Sequence, residues 1–303
     1  MPYDIFREFN KPIPPEADRW GRAGSDLPPV PHAHAHDQTP DDFTDCGEPL
    51  VSLSGLSPKI QIAPIYHQQG LPGATADCYA RSTVALRLVQ AAELLPDGYS
   101  LVILDAWRPC EVQQALYDSF RQTLINQGWP DDETLTEELR KYVAKPSTDI
   151  DKPSRHLTGG AIDLTIAGPD GWLDMGGPFD DFTARAATRY YEEITRKETM
   201  TEERACVGIT SAETKIAETI DPLPEHKTVA VSGLTSLRLD ANEKNDGKLQ
   251  YQAHRRYLYH LMISAGFTNY AKEWWHYDYG NLPWAKQTGE IPLYKGVLSP
   301  EAI

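Results

Sequence analysis

The feature that most restricts this chain is an acid set inside an apolar run. Ser154–Ile166 reads SRHLTGGAIDLTI, and from Ala161 to Ile166 the residues around Asp163 are apolar apart from Thr165. Glycine relieves the Cβ clash where backbone bends sharply, so Gly159-Gly160 followed by this run reads as a turn feeding a strand. A carboxylate in a buried strand is costly unless a cation or a metal satisfies it. His156 lies seven residues ahead of Asp163, and the two read as a metal-ligand pair in need of a third ligand. Lys272–Tyr277, KEWWHY, offers His276, with Glu273 three residues before it.

The 303 residues suit one large domain with extensions. Residues 1–59 are expected to form an irregular Pro-rich N-terminal extension, because Pro12–Ser25 and Leu27–Gln38 are rich in Pro, Asp and Ala and lack periodicity. Residues 60–303 are expected to form the folded domain that carries His156, Asp163, Glu273 and His276. His32, His34 and His36 alternate in the extension, and such a tract binds transition metals, but a Pro-rich loop gives it no fixed geometry. The formal charge of −15, from 44 acids against 29 bases, repels phosphate backbones and anionic lipid. Neither nucleic acid nor a membrane is therefore an expected partner. Met1–Asn10 has no basic segment followed by an apolar one, and no apolar run approaches the ~20 residues of a membrane helix. Cys46, Cys78, Cys110 and Cys206 form no CxxC pair, so a reducing cytoplasm is the expected location.

Along the chain, Lys59–Tyr66 alternates as a strand interrupted by Pro64, and Asp77–Leu95 has helical spacing. Ser100–Leu104 is a short buried strand that delivers DAWRP at its end, and a helix follows from Pro109 to Gly128. Leu135–Val143 reads as a short helix, and the strand unit at Ser154–Ile166 comes next. Thr183 to about Ile220 is helical and charged, Asp240–Gly247 is a polar surface excursion, and Leu249–Ser264 is a strong helix capped by Gly266. Phe267–Tyr279 reads as an aromatic-rich strand carrying Glu273 and His276.

A catalytic zinc site takes three protein ligands and leaves a fourth position open. His156, Asp163 and His276 supply N, O and N. A carboxylate beside the attacking water takes its proton and passes it on, and Glu273 is the candidate. In a strand, residues three apart face opposite sides, so Glu273 and His276 reach one site only through a bulge or turn. Arg108, held between Trp107 and Pro109 at a strand end, is a cation suited to an oxyanion. Taken singly, each of these residues has a structural reading as a hydrogen bonder, a turn cap or a core aromatic. Together they form the complement of a zinc hydrolase.

The motifs resemble one family. SRHLTGGAIDL is similar to the SxHxxGxAxD signature, and EWWH to the ExWH signature, of zinc D-alanyl-D-alanine dipeptidases, the VanX-like members of the D-Ala-D-Ala peptidase superfamily. Arg108 in DAWRP and the MGxxFD stretch at Met175–Asp180 stand where that family has them. The resemblance covers roughly Ile60 to Tyr279. It implies an α+β fold with a central antiparallel sheet flanked by helices, as in the hedgehog/D,D-peptidase group. It also implies one zinc ion on His156, Asp163 and His276, Glu273 as general base and acid, and Arg108 as transition-state stabiliser. Asp180 resembles the acid that holds the substrate's free amino group, and Ser154 lies at a substrate-contacting position. The implied partner is a small dipeptide.

The N-terminal extension and the segment around 204–247 exceed a minimal member of that family. Each is open to covering the cleft, forming an oligomer contact or doing neither. Two other readings share the zinc residues: a D,D- or L,D-carboxypeptidase trimming peptidoglycan stems, and a zinc-stabilised binding module without catalysis. The latter has no need of Glu273.

Overall fold

Residues 43–207 and 241–300 are described by a computed structural model. Strand β1 is Leu50–Ser52 and β2 is Ile60–Ile62, after which helix α1 takes Ile65–Gln68. The strand expected over Lys59–Tyr66 therefore ends early. Pro64 lacks an N–H for a ladder and stands at the N-cap of α1 with an extended ψ. Residues expected at the start of a helix at Asp77 instead form strand β3, Tyr79–Arg81, paired antiparallel to β1. Helix α2 begins only at Ser82 and runs to Glu93, burying Val84, Ala85, Leu88, Ala91 and Ala92 on one stripe.

Strand β4 is Ser100–Asp105, helix α3 is Cys110–Asn126 behind an extended Pro109, and α4 is Glu133–Leu139. The Asp132 side chain caps α4 by accepting from Thr134 N at 2.8 Å. Next come β5, Ala161–Gly168, the short β6, Gly171–Trp172, and α5, Tyr190–Val207. Helix α6 runs Ala241–Ser264 and so takes in polar residues expected as a surface excursion. Residues 204–207 of the expected insertion end α5, while 208–240, and His32, His34 and His36, lie outside the described residues.

The aromatic stretch Phe267–Tyr279 is not one strand. It is a hairpin of β7, Thr268–Asn269, and β8, His276–Asp278, followed by helix α7, Leu282–Thr288. Asn269 closes the connection, its Nδ2 donating to Glu273 O at 3.1 Å and to His276 O at 3.0 Å.

The main sheet has the order β2-β4-β5-β8-β7, with β6 attached to β5. All its pairs are antiparallel except β2 and β4, so the expected antiparallel sheet has a parallel edge. The connection through α1, β3 and α2 is long enough for that crossover. Strand β5 is central, and Ala161–Ala167 are all buried. Ile162, Leu164 and Ile166 face the main core with Leu88, Leu258, Leu261, Met262 and Phe267. Strand periodicity then turns Asp163 to the opposite face.

The described part of the expected N-terminal extension is built into this body. Arg81 is 1% exposed; its guanidinium donates to Asp45 at 2.8 Å, to Glu48 O at 2.6 Å and to Thr158 O at 2.8 Å. A buried cation needs such partners, and Asp45 and Glu48 supply them from the chain ahead of β1.

Candidate active site

Three elements deliver the expected ligands. His156 opens a 3-10 turn, His156–Thr158, that Gly159 ends at φ 70, a conformation favouring glycine. Arg81 pins this turn through the Thr158 carbonyl. Gly160 then allows the chain to pass close under β8, where a Cβ would lie 2.4 Å from the Tyr279 carbonyl oxygen. Asp163 in β5 stands directly opposite His276 in β8.

The side chains converge. Asp163 Oδ1 is 2.9 Å from His276 Nδ1, Asp163 Oδ2 is 3.3 Å from His156 Nε2, and the two ring nitrogens are 3.2 Å apart. All three residues are buried, and their ligand atoms lie within 4.8 Å of one another. The outward nitrogens are occupied: His156 Nδ1 is 2.7 Å from Ala106 O, and His276 Nε2 is 3.2 Å from Asp278 Oδ1. If each outward nitrogen donates, both inward nitrogens and the carboxylate present lone pairs to one point. Such a trio repels itself unless a cation sits among it, either a proton or a metal ion. The donor set of two imidazoles and one carboxylate fits a catalytic zinc site.

The electrostatics follow from this crowding. Burial raises the Asp163 carboxyl, but the charges and hydrogen bonds of His156 and His276 outweigh it and hold Asp163 well below the usual range. Burial lowers His276, yet Asp278 and Asp163 push it up to about 10. The site thus favours a proton on the nitrogen for which a metal would compete.

A β-bulge brings the cation to this point. Ile103 of β4 pairs with Leu164, but Asp105 rather than Leu104 pairs with Asp163. The extra residue turns Asp105 toward Asp163 and aims the DAWRP corner at the site. Arg108 Nε donates to Asp105 Oδ2 at 2.8 Å, Nη1 to Gln113 Oε1 at 2.9 Å, and Nη2 lies 3.4 Å from Asp163 Oδ2. Burial disfavours its charge, but Asp105, Tyr66 and Asp163 keep it firmly protonated.

The turn required between Glu273 and His276 is the β7–β8 connection. Glu273 N donates to Tyr270 O at 2.9 Å, and the side chain returns to the ligands with Oε2 3.8 Å from His276 Nδ1. Burial raises the Glu273 carboxyl, with His276 opposing and Asp163 adding to the rise. Asp180, in the chain that follows β6, takes φ 59, the one positive φ on a non-glycine residue among the described residues. Arg255 holds its loop by donating to Met175 O at 2.7 Å. Tyr66 Oη donates to Asp180 Oδ2 at 2.9 Å and accepts from Arg108 Nη2 at 3.3 Å. Burial pushes Asp180 up to about 7 against the pull of Arg108. Ser154, Arg108, Asp180, Glu273 and the three ligands line one cavity of about 180 Å³.

Tyr66, Asp105, Arg155 and Asp278 also belong to this cluster, beyond the residues expected there. Asp105 stood in the DAWRP run beside Arg108, and Asp278 stands two residues past His276 on the same face of a strand; both signals were available. Tyr66 carried none, since it reaches the site only through α1.

A model of the D-ala-D-ala dipeptidase family (Peptidase_M15) matches residues 67–212 and 236–293. The stretch it skips lies within the segment read as an insertion. A D-alanyl-D-alanine dipeptidase of Synechocystis sp. is 27% identical over 256 residues, covering 80% of this chain and 86% of that protein. With its signature residues gathered around one buried centre and most of its length matched, the chain belongs to the D-ala-D-ala dipeptidase family of peptidases.

Proposed function

We propose that this protein is a zinc-dependent dipeptidase that hydrolyses D-alanyl-D-alanine. The observation that carries the reading is that Glu273 and Asp180, from separate loops, line the cavity that His156, Asp163 and His276 also line. His156, Asp163 and His276 would hold the zinc ion, which when bound would supply Lewis acidity and a water of lowered pKa, about 7.

The chain's own groups do the rest. Glu273 takes a proton from the attacking water and delivers it to the leaving amine, a role helped by burial that lifts its pKa. Arg108 keeps its charge and donates to the oxygen that gains negative charge. Asp105, Gln113 and Asp163 fix its guanidinium so that little reorganisation accompanies the reaction. Asp180, anchored by Tyr66, accepts hydrogen bonds from the substrate ammonium. Ser154 lines the cavity as a further substrate contact.

The size of the cavity supports a small substrate. At about 180 Å³ it is below the roughly 300–1,000 Å³ of pockets that hold drug-sized ligands. The rival reading is a carboxypeptidase of longer wall peptides. Free D-Ala-D-Ala and its N-acetyl derivative separate the two, because acetylation removes the charge that Asp180 would bind. The dipeptidase reading expects the blocked substrate to lose most of kcat/KM; equal rates on both would refute it and the role of Asp180.

A further inference from the structure

The groups behind His276 have no part in the chemistry above. Asp278 lies two residues along β8 from His276, so the two side chains share a face. Its carboxylate is 0% exposed. Oδ1 is 3.2 Å from His276 Nε2 and accepts from Asn281 Nδ2 at 2.6 Å, while Oδ2 pairs with Arg155. Arg155 immediately precedes His156, and its guanidinium lies 4.4 Å over the Tyr270 ring. Burying a carboxylate this completely is costly, and an apolar side chain would satisfy the needs of a three-residue strand more cheaply. The charge therefore answers to something other than the sheet.

We propose that Asp278, braced by Arg155 and Asn281, is a positioning residue for the metal centre. It fixes His276 with Nε2 as the donor, so that Nδ1 offers its lone pair toward Asp163 and His156. A carboxylate behind a metal-bound imidazole also raises its basicity. On the other ligand, the Ala106 carbonyl at 2.7 Å and Asp105 at 3.3 Å stand behind His156 Nδ1. Arg155 ties the two halves together, because it grips the support of one ligand from the residue next to the other. The inference rests on the proposed binding of metal by His156, Asp163 and His276.

The test measures zinc affinity by competition with a chromophoric chelator, and the visible spectrum of the cobalt-substituted protein. The wild type is compared with Asp278→Asn, which keeps the shape and removes the charge, and with Asp278→Asn/Arg155→Gln, which removes the pair together. Leu88→Ala, a truncation in the core that Ile162, Leu164 and Ile166 face, serves as a destabilised control. Both Asp278 variants are expected to bind zinc about 10–100-fold more weakly and to show an altered cobalt spectrum. The Leu88 variant is expected to keep both properties. If Asp278→Asn does not fold, the double variant decides the matter. A folded Asp278 variant with wild-type zinc affinity and spectrum overturns the inference alone. A wild type that binds no zinc overturns the metal reading beneath it.

Discussion

Gly160→Ala tests how closely the site depends on the pairing of β5 with β8. The added Cβ would lie 2.4 Å from the Tyr279 carbonyl oxygen and 3.0 Å from Tyr294 Cδ2. Real Cβ atoms essentially never approach closer than 3.0 Å, and the first obstacle is backbone, so the strands must part by about 0.6 Å. The Tyr279 N–H donates to Gly160 O at 2.8 Å, and three residues further the same ladder sets Asp163 opposite His276. Overpacking of this kind costs about 1–3 kcal/mol, which in a domain of this size lowers Tm by about 2–12 °C. A displacement approaching 1 Å at a reacting centre costs on the order of 100-fold in turnover. Gly159→Ala provides the contrast. Its Cβ would lie 2.4 Å from the end of the Leu50 side chain, with Arg81 Cγ at 3.4 Å and Arg81 N at 3.5 Å in ordinary contact, and its φ of 70 costs alanine roughly 1–2 kcal/mol. Thermal melting and D-alanine release at saturating zinc are the assays. Both variants are expected to melt lower, but only Gly160→Ala should lose most of its turnover. Equal losses of turnover, or none in Gly160→Ala, would mean that the β5–β8 spacing does not set the geometry of the site.

Other expectations follow from the same geometry. Glu273→Gln should lower kcat by about 100-fold or more while zinc binding by chelator competition stays near wild type; a near-native rate would remove Glu273 from its role. Because burial holds Asp180 at about 7, KM for the dipeptide should rise as pH falls below that value, and Asp180→Asn should raise KM and flatten the profile. A wild-type KM independent of pH between 6 and 8 would count against the ammonium contact. In the metal-free protein His276 is held at about 10, above its ordinary 6.5. That contribution to stability is fully present below about 6.5 and is lost as pH rises toward 10. The Tm of metal-free protein should therefore fall over this interval more steeply than that of zinc-loaded protein, in which metal replaces the proton; parallel curves would contradict this.

Much of the site was legible because its chemistry is expensive to hide. Asp163 in an apolar run had to have a cationic partner, and the strand period alone turns it away from Ile162 and Leu164. Glu273 and His276 required a turn between them, and the β7–β8 connection is that turn. What was not legible depended on distant chain. Tyr79–Arg81 has no strand signal of its own and is one only because Leu50–Ser52 lies beside it. The parallel edge at β2 arises from a crossover that periodicity does not encode. The bulge at Leu104, which turns Asp105 toward Asp163, is invisible in a run of apolar residues. Asp45 and Glu48, in a stretch read as extension, reveal their part only through the buried Arg81 they satisfy.

One metal centre on His156, Asp163 and His276 is proposed to drive cleavage of a free dipeptide. The most direct measurement is D-alanine release from D-Ala-D-Ala by the purified protein as isolated, after chelation, and after zinc is restored. Activity that disappears on chelation and returns with about one zinc per chain is the predicted result. Undiminished activity in protein shown to be metal-free, or no release of D-alanine with zinc bound at that stoichiometry, would contradict it.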